Sequence, residues 1–142
     1  MSKSPTPLTA PPPGFTRLTL IDPFEVHICE AFEAGEGAER RFAIPVNARH
    51  LNAGGTVHGG ALMSFADMTL GQTAWDAVER ANIVTVNMQS QFLNPAKAGD
   101  LLEIQPEIVR RTRGFVFVRG DFHVRGKVIV AVQSVWKLIG RE

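Results

Sequence analysis

A chain of 142 residues with a single cysteine, Cys29, cannot form an intrachain disulfide, and a reducing, intracellular setting is the simplest expectation. No apolar run approaches the ~20 residues that cross a bilayer, and the N-terminus lacks the apolar core of a signal peptide. An excess of charge is missing as well. Fifteen basic and fourteen acidic side chains leave a formal +1, which argues against a broad nucleic-acid footprint and leaves room only for a local basic cluster. These absences describe a soluble, cytoplasmic protein with neither nucleic acid nor membrane among its partners. There is no Gly-x-Ser-x-Gly elbow, no Walker glycine-lysine pattern and no closely spaced His or Cys pair. Serine-hydrolase, nucleotide-phosphate and metal chemistry therefore have no evident carrier. His50 and His58 are eight apart across a loop, a weak ligand pair, and His27 and His123 read as ordinary strand residues.

What is there fits one domain, large enough to need no metal or disulfide for stability. Residues 1–14 hold Pro5, Pro7, Pro11, Pro12 and Pro13 and read as a disordered tail ahead of a domain over 15–142. Phe15 to Phe24 is either a short helix or an extended lead-in. Strands are predicted at Val26–Phe32 and Glu39–Val46, joined by a turn at Gly35-Glu36-Gly37, and again at Ile83–Leu93, Leu101–Arg111, Phe115–Val124 and Val128–Ile139. Short turns imply antiparallel neighbours. Between the two groups runs one long helix, Ala61 to Val78, apolar nearly all round and so predicted to be buried. The plan is α+β: about six strands in a single sheet that covers a single helix.

The helix carries one acid in its first half. At 100° per residue, with Asp67 at zero, Gly60, Ser64, Gly71 and Ala74 fall within about 60° of it, a stripe of small residues. Glycine inside a helix costs about 1 kcal/mol against alanine, so Gly71 implies a close approach, either by another helix or by a substrate beside Asp67. The neighbours of Asp67 at three and four residues are Met63, Ser64, Leu70 and Gly71, which makes a solvated face a poor explanation. Just ahead of the helix, His58-Gly59-Gly60 either reverses the chain or offers unpaired backbone N–H groups at the positive end of the helix dipole, a place to hold an oxyanion. Gly60 and Asp67 are about 10 Å apart along the axis. Groups serving one carbonyl must lie closer, so an antiparallel pairing of two chains, Asp67 of one facing Gly60 of the other, is the economical solution.

On these residues the chain resembles the hotdog-fold thioesterases, in the PaaI-like branch related to 4-hydroxybenzoyl-CoA and phenylacetyl-CoA thioesterases. The matching pattern is Asn52-Ala-Gly-Gly-Thr-Val-His58-Gly59-Gly60, Asp67 nine residues after the histidine, then Thr85-Val-Asn-Met-Gln-Ser-Gln-Phe-Leu-Asn-Pro95-Ala-Lys-Ala-Gly99-Asp100. The resemblance implies a helix wrapped by an antiparallel sheet, a homodimer with joined sheets, dimers paired into tetramers, and hydrolysis of an acyl-CoA in a site shared between subunits. Carried over by position, Gly60 N–H would polarise the carbonyl, Asn52 would orient the nucleophile or the carbonyl, and His58 would hold the turn against the thioester. Asp67 would act as general base or nucleophile, and Thr85 would position water. Gly59, Ser64 and Gly71 would face the substrate. Among Arg110, Arg111, Arg113 and Arg119, the first three are the candidates to meet CoA phosphates, a match to guanidinium geometry. No cofactor is implied beyond coenzyme A in the substrate. The alternative is a non-catalytic acyl-CoA-binding hotdog protein. Met63, Phe65, Met68 and Phe92 are apolar candidates for the acyl pocket, consistent with aryl or medium-chain groups.

Overall fold

The computed structural model describes residues 9–140. One helix, α2 (Gly59–Ala77), lies against one eight-stranded antiparallel sheet. Before it come β1 (Thr16–Arg17), a short helix α1 (Pro23–Ile28), β2 (Phe32–Ala34) and β3 (Arg41–Pro45). After it come β4 (Ile83–Phe92), β5 (Leu101–Ile104), β6 (Glu107–Arg111), β7 (Phe115–Val124) and β8 (Lys127–Leu138). The order across the sheet is β1-β2-β3-β5-β7-β8-β4, with β6 also on β7. No helix among the described residues is long and apolar enough to cross a membrane. Most of the expected proline-rich tail, residues 1–8, lies outside the described residues; Thr9 is tied to the domain through its N–H to Glu30 at 2.9 Å.

Four expectations change. The strand predicted from Val26 is helix α1 up to Ile28, because Pro23 sits in its first turn with φ already set for a helix, and only Phe32–Ala34 joins the sheet. Leu101–Arg111 is one path along β7 broken in two at Gln105-Pro106: Glu103 faces His123, and Glu107 to Arg111 face Arg119 to Val116. Proline has no N–H for the ladder. Opposite the break, the space of a side chain at Gly120 is taken by Ile104, 2.9 Å from where a Cβ would stand. Thirdly, β4 and β5 are not paired despite their short connection. Strand β4 crosses to the far edge beside β8, and β5 lies between β3 and β7.

The last correction bears on function. Helix α2 is not buried all round: Leu62, Phe65, Ala66, Met68, Leu70 and Ala74 pack against Phe42, Ile44, Leu102, Val116, Val118 and Phe122 of the sheet, while Met63 is 42% exposed and Asp67 lies on the same uncovered side. The apolar circumference therefore exceeds what this chain's sheet can cover. Strand β4 is likewise unfinished. Its ten residues hold no charge or proline, its outer edge has no strand partner among the described residues, and Val84 and Val86 are 43% and 54% exposed. Natural edge strands normally carry some device against pairing, and this one has only a bulge between Thr85 and Asn87.

Candidate active site

Asp67 meets Thr85. The hydroxyl of Thr85, on β4 beside the bulge, donates to Oδ1 of Asp67 at 2.7 Å, a charge-assisted bond that fixes the carboxylate across the helix–sheet boundary. No partner holds Oδ2 among the described residues, so that oxygen remains open to accept a proton. The sequence had brought these two together only through the family pattern, and the geometry does so independently.

The glycine turn is built by two histidines. His58 is the N-cap of α2, and its Nδ1 accepts from the N–H of Gly60 at 2.8 Å. A Cβ at Gly60 would stand 3.0 Å from that nitrogen, so a side chain there would crowd the cap. The N–H expected to face a thioester is thus engaged, whereas that of Gly59, the first helical residue, has no acceptor among the described residues. The donor open to a ligand is Gly59. His50 supports the turn from below: its carbonyl accepts from His58 N at 2.8 Å, its Nδ1 accepts from Asn47 N at 3.1 Å, and its Nε2 donates to Ile28 O. Burial holds His50 below the usual imidazole range despite the opposing bond to Ile28, which suits a neutral structural imidazole edge-on to Phe65. The Asn47-x-x-His50 capping pattern was the available sequence signal for this role. Among the described residues no cluster of three metal-ligating side chains occurs.

Asn52 turns inward on its own loop. Its Oδ1 accepts from Gly54 N and Thr56 N at 3.0 and 3.2 Å, and its Nδ2 donates to Thr56 Oγ1 at 3.1 Å. Ser64 donates back to Gly60 O at 2.9 Å. At Gly71 the space of the missing side chain is filled from within the chain, by the Trp136 ring of β8, 2.9 Å from where a Cβ would stand. Neither a second helix nor a substrate is needed to account for that glycine.

Beside Asp67 opens a cleft of about 260 Å³ between α1, α2 and the start of β4. Trp75, Trp136, Met68 and Ile83 form its apolar walls. Glu25 of α1, hidden from the sequence reading by the expected strand, also lines it, and burial pushes its carboxyl up to about 7, with Asp22 and then Asp67 adding to the rise. A larger hollow of about 760 Å³ lies around Arg17, Cys29 and Arg49, away from Asp67. The Cys29 thiol there, pushed up to about 12 chiefly by burial, is no nucleophile.

Arg110 and Arg111 on β6 and Arg113 in the following turn are exposed and make no ion pair among the described residues, whereas Arg119 is engaged by Glu107 at 3.0 Å. Successive strand pairings put Arg111, Val116, Trp136 and Thr85 in one row across the sheet. Three strand spacings separate its ends, about 14 Å.

One long helix wrapped by one antiparallel sheet, with a capped glycine turn at its start and an acid on its uncovered face, defines a hotdog-fold protein. The chain belongs to the thioesterase superfamily, whose family model matches residues 54–131. It is 28% identical over 130 residues to Putative esterase PA0474 of Pseudomonas aeruginosa, covering 89% of this chain and 96% of that one. Among solved structures it resembles phenylacetic acid degradation protein PaaI from Thermus thermophilus, with a TM-score of 0.73 at 23% identity over 83% of this chain and 100% of that one. It also resembles a hypothetical thioesterase with coenzyme A from Streptococcus pneumoniae, with a TM-score of 0.70 at 20% identity over 79% and 88%. Family membership supports thioester hydrolysis as the reaction class.

Proposed function

We propose that the protein is an acyl-CoA thioesterase whose working site is assembled from two chains. The observation that carries the reading is the carboxylate of Asp67, oriented by Thr85 at the mouth of an aromatic-walled cleft with one oxygen left open. Gly59 and Asp67 are eight residues apart on one helix, about 12 Å, too far to serve one carbonyl. The uncovered face of α2 and the uncharged edge of β4 give the second chain its place, with β4 pairing to its copy so that Asp67 of one chain approaches Gly59 of the other. Dimers paired further would give the homotetramer.

In this reading Gly59 N–H, in place of Gly60, donates to the thioester carbonyl. With Asp67 as base, a water gives its proton to Oδ2 while its oxygen adds to the carbonyl carbon. The tetrahedral oxyanion is held by Gly59 N–H at the positive end of α2. Collapse breaks the carbon–sulfur bond, releases the acid, and returns the proton to the CoA thiolate. With Asp67 as nucleophile, Oδ2 adds to the carbonyl carbon, the carbon–sulfur bond breaks with CoA leaving as thiolate, and water then hydrolyses the mixed anhydride to the free acid and the Asp67 carboxylate, its proton going to the thiolate. Asn52, His58 and Ser64 hold the turn and helix start in shape; Gly71 admits Trp136 to the cleft wall. Arg110, Arg111 and Arg113 meet the CoA phosphates, and the row from Thr85 to Arg111 provides a span for the pantetheine arm. The reaction needs no cofactor beyond the CoA of the substrate.

Thiol release from a panel of aryl, short, medium and long acyl-CoAs tests the proposal. Native protein should turn over at least one member and Asp67→Asn none. Tight binding without release by native protein would replace the enzyme with an acyl-CoA-binding protein, and full turnover by Asp67→Asn would remove Asp67 from the chemistry.

A further inference from the structure

The cleft beside Asp67 has an uneven charge. Asp22, at the cap of α1, and Glu25 within it face the cleft, and Asp67 faces it from α2, while α2, β4 and β8 otherwise contribute uncharged side chains, Trp75, Ile83 and Trp136 among them. None of its lining residues is Lys, Arg or His. The nearby guanidinium of Arg80 lies over the Trp75 ring at 4.4 Å and is paired with Asp76 at 3.1 Å, outside the lining. Cys29, one turn beyond Glu25, is an un-ionised thiol. The surroundings of Glu25 thus hold two further acids and no cation within the cleft. An acyl chain entering beside Asp67 meets apolar rings and negative charge together.

We propose that Glu25 is a specificity-determining residue that closes this cleft to acyl groups ending in a carboxylate and leaves it open to uncharged ones. The inference rests on the thioesterase reading and names the substrate class of the same site. A carboxylate carried into the cleft would lose water and find only like charge, with no cation to offset the loss. An uncharged chain of equal length would lose neither. The discrimination should also depend on pH. Glu25 gains its charge around pH 7, so the wall becomes more negative between pH 6 and pH 8, while a terminal carboxylate on the substrate is ionised throughout.

The test compares kcat/KM for hexanoyl-CoA and adipyl-CoA, matched in length and differing in the terminal carboxylate, at pH 6 and pH 8. Native protein should favour hexanoyl-CoA, more strongly at pH 8. In Glu25→Gln the ratio should fall by about tenfold at pH 8, the factor for removing one like charge from a partly solvated cleft, and should become flat with pH. Glu25→Asp, which keeps the charge, should retain the discrimination. Turnover of hexanoyl-CoA with the same ratio in native and Glu25→Gln protein would overturn the inference and leave the thioesterase standing. A native preference for adipyl-CoA would do the same, whereas failure of native protein to release thiol from either substrate or any other acyl-CoA would remove both.

Discussion

Replacing Gly59 by proline deletes one hydrogen-bond donor with little disturbance to anything else. Gly59 is the first residue of α2, a position where proline is favoured because its φ is already helical and the N–H there has no intrahelical acceptor. The residue before it, His58, has φ −62° and ψ 136°, the extended conformation that a following proline requires. A Cβ at Gly59 would stand 3.5 Å from the Phe92 ring, ordinary contact. The fold should therefore hold, with a melting temperature within a few degrees of native. If this N–H stabilises the oxyanion, its removal should lower kcat by about 10²–10³, or about 2.7–4 kcal/mol in the barrier, with KM changed far less. Gly59→Ala, which keeps the N–H, serves as the control and should retain most of the activity. Steady-state thiol release with calorimetric melting reads all three proteins. A stable Gly59→Pro enzyme with native kcat would refute the assignment of the donor.

Thr85→Ala should lower kcat by about 10- to 100-fold, the rate equivalent of a hydrogen bond to a charged group at about 1.5–3 kcal/mol, and Thr85→Ser should restore most of it; steady-state kinetics on both variants reads this, and an unimpaired Thr85→Ala would show the bond to be incidental. Val86→Lys places a charge on the open edge of β4 and should give an inactive monomer by light scattering; an active monomer would rule out the two-chain site. Gly71→Ala gains about 1 kcal/mol of helix propensity but must displace a buried Trp136 whose Nε1 is bonded to Ser134 at 2.8 Å, at about 1–3 kcal/mol for overpacking. Thermal melting should show unchanged to lower stability, and a clear gain would mean the ring yields freely. Burial raises Glu25 in the folded state, so its contribution is fully present below its unfolded value near 4.5 and lost as pH rises through about 7. Glu25→Gln should raise the melting temperature at pH 8 and change it little at pH 5, and an equal shift at both would place the Glu25 carboxyl in solvent.

Much of this was legible in the chain because local rules governed it. A long stretch apolar nearly all round marked α2 within two residues of its start, and alternation marked β4, β7 and β8. A lone acid among apolar and small neighbours marked Asp67 as unusual, and the structure sets it against Thr85 beside a cleft. Legibility failed where two local rules conflicted or where a distant residue decided. Val26 and Ile28 alternate as a strand would, but Pro23 fixed the first helical turn, and with α1 unseen Glu25 could not be placed in the cleft. The pairing of β4 with β8 in place of β5 is a matter of sheet order, which short loops constrain only weakly.

The glycines make the sharpest case. Gly59 and Gly60 are indistinguishable as letters, and both offer an N–H at a helix start; only the His58 side chain, folded back to cap Gly60, separates them. Gly71 could be recognised as a point of close approach from its cost alone, but its partner, Trp136, lies on a strand near the other end of the chain. A glycine in sequence thus announces that something must come near. What comes near is decided by tertiary structure: here a tryptophan at one glycine, a histidine cap at another, and at the third an open amide that gives the catalytic reading its most direct test.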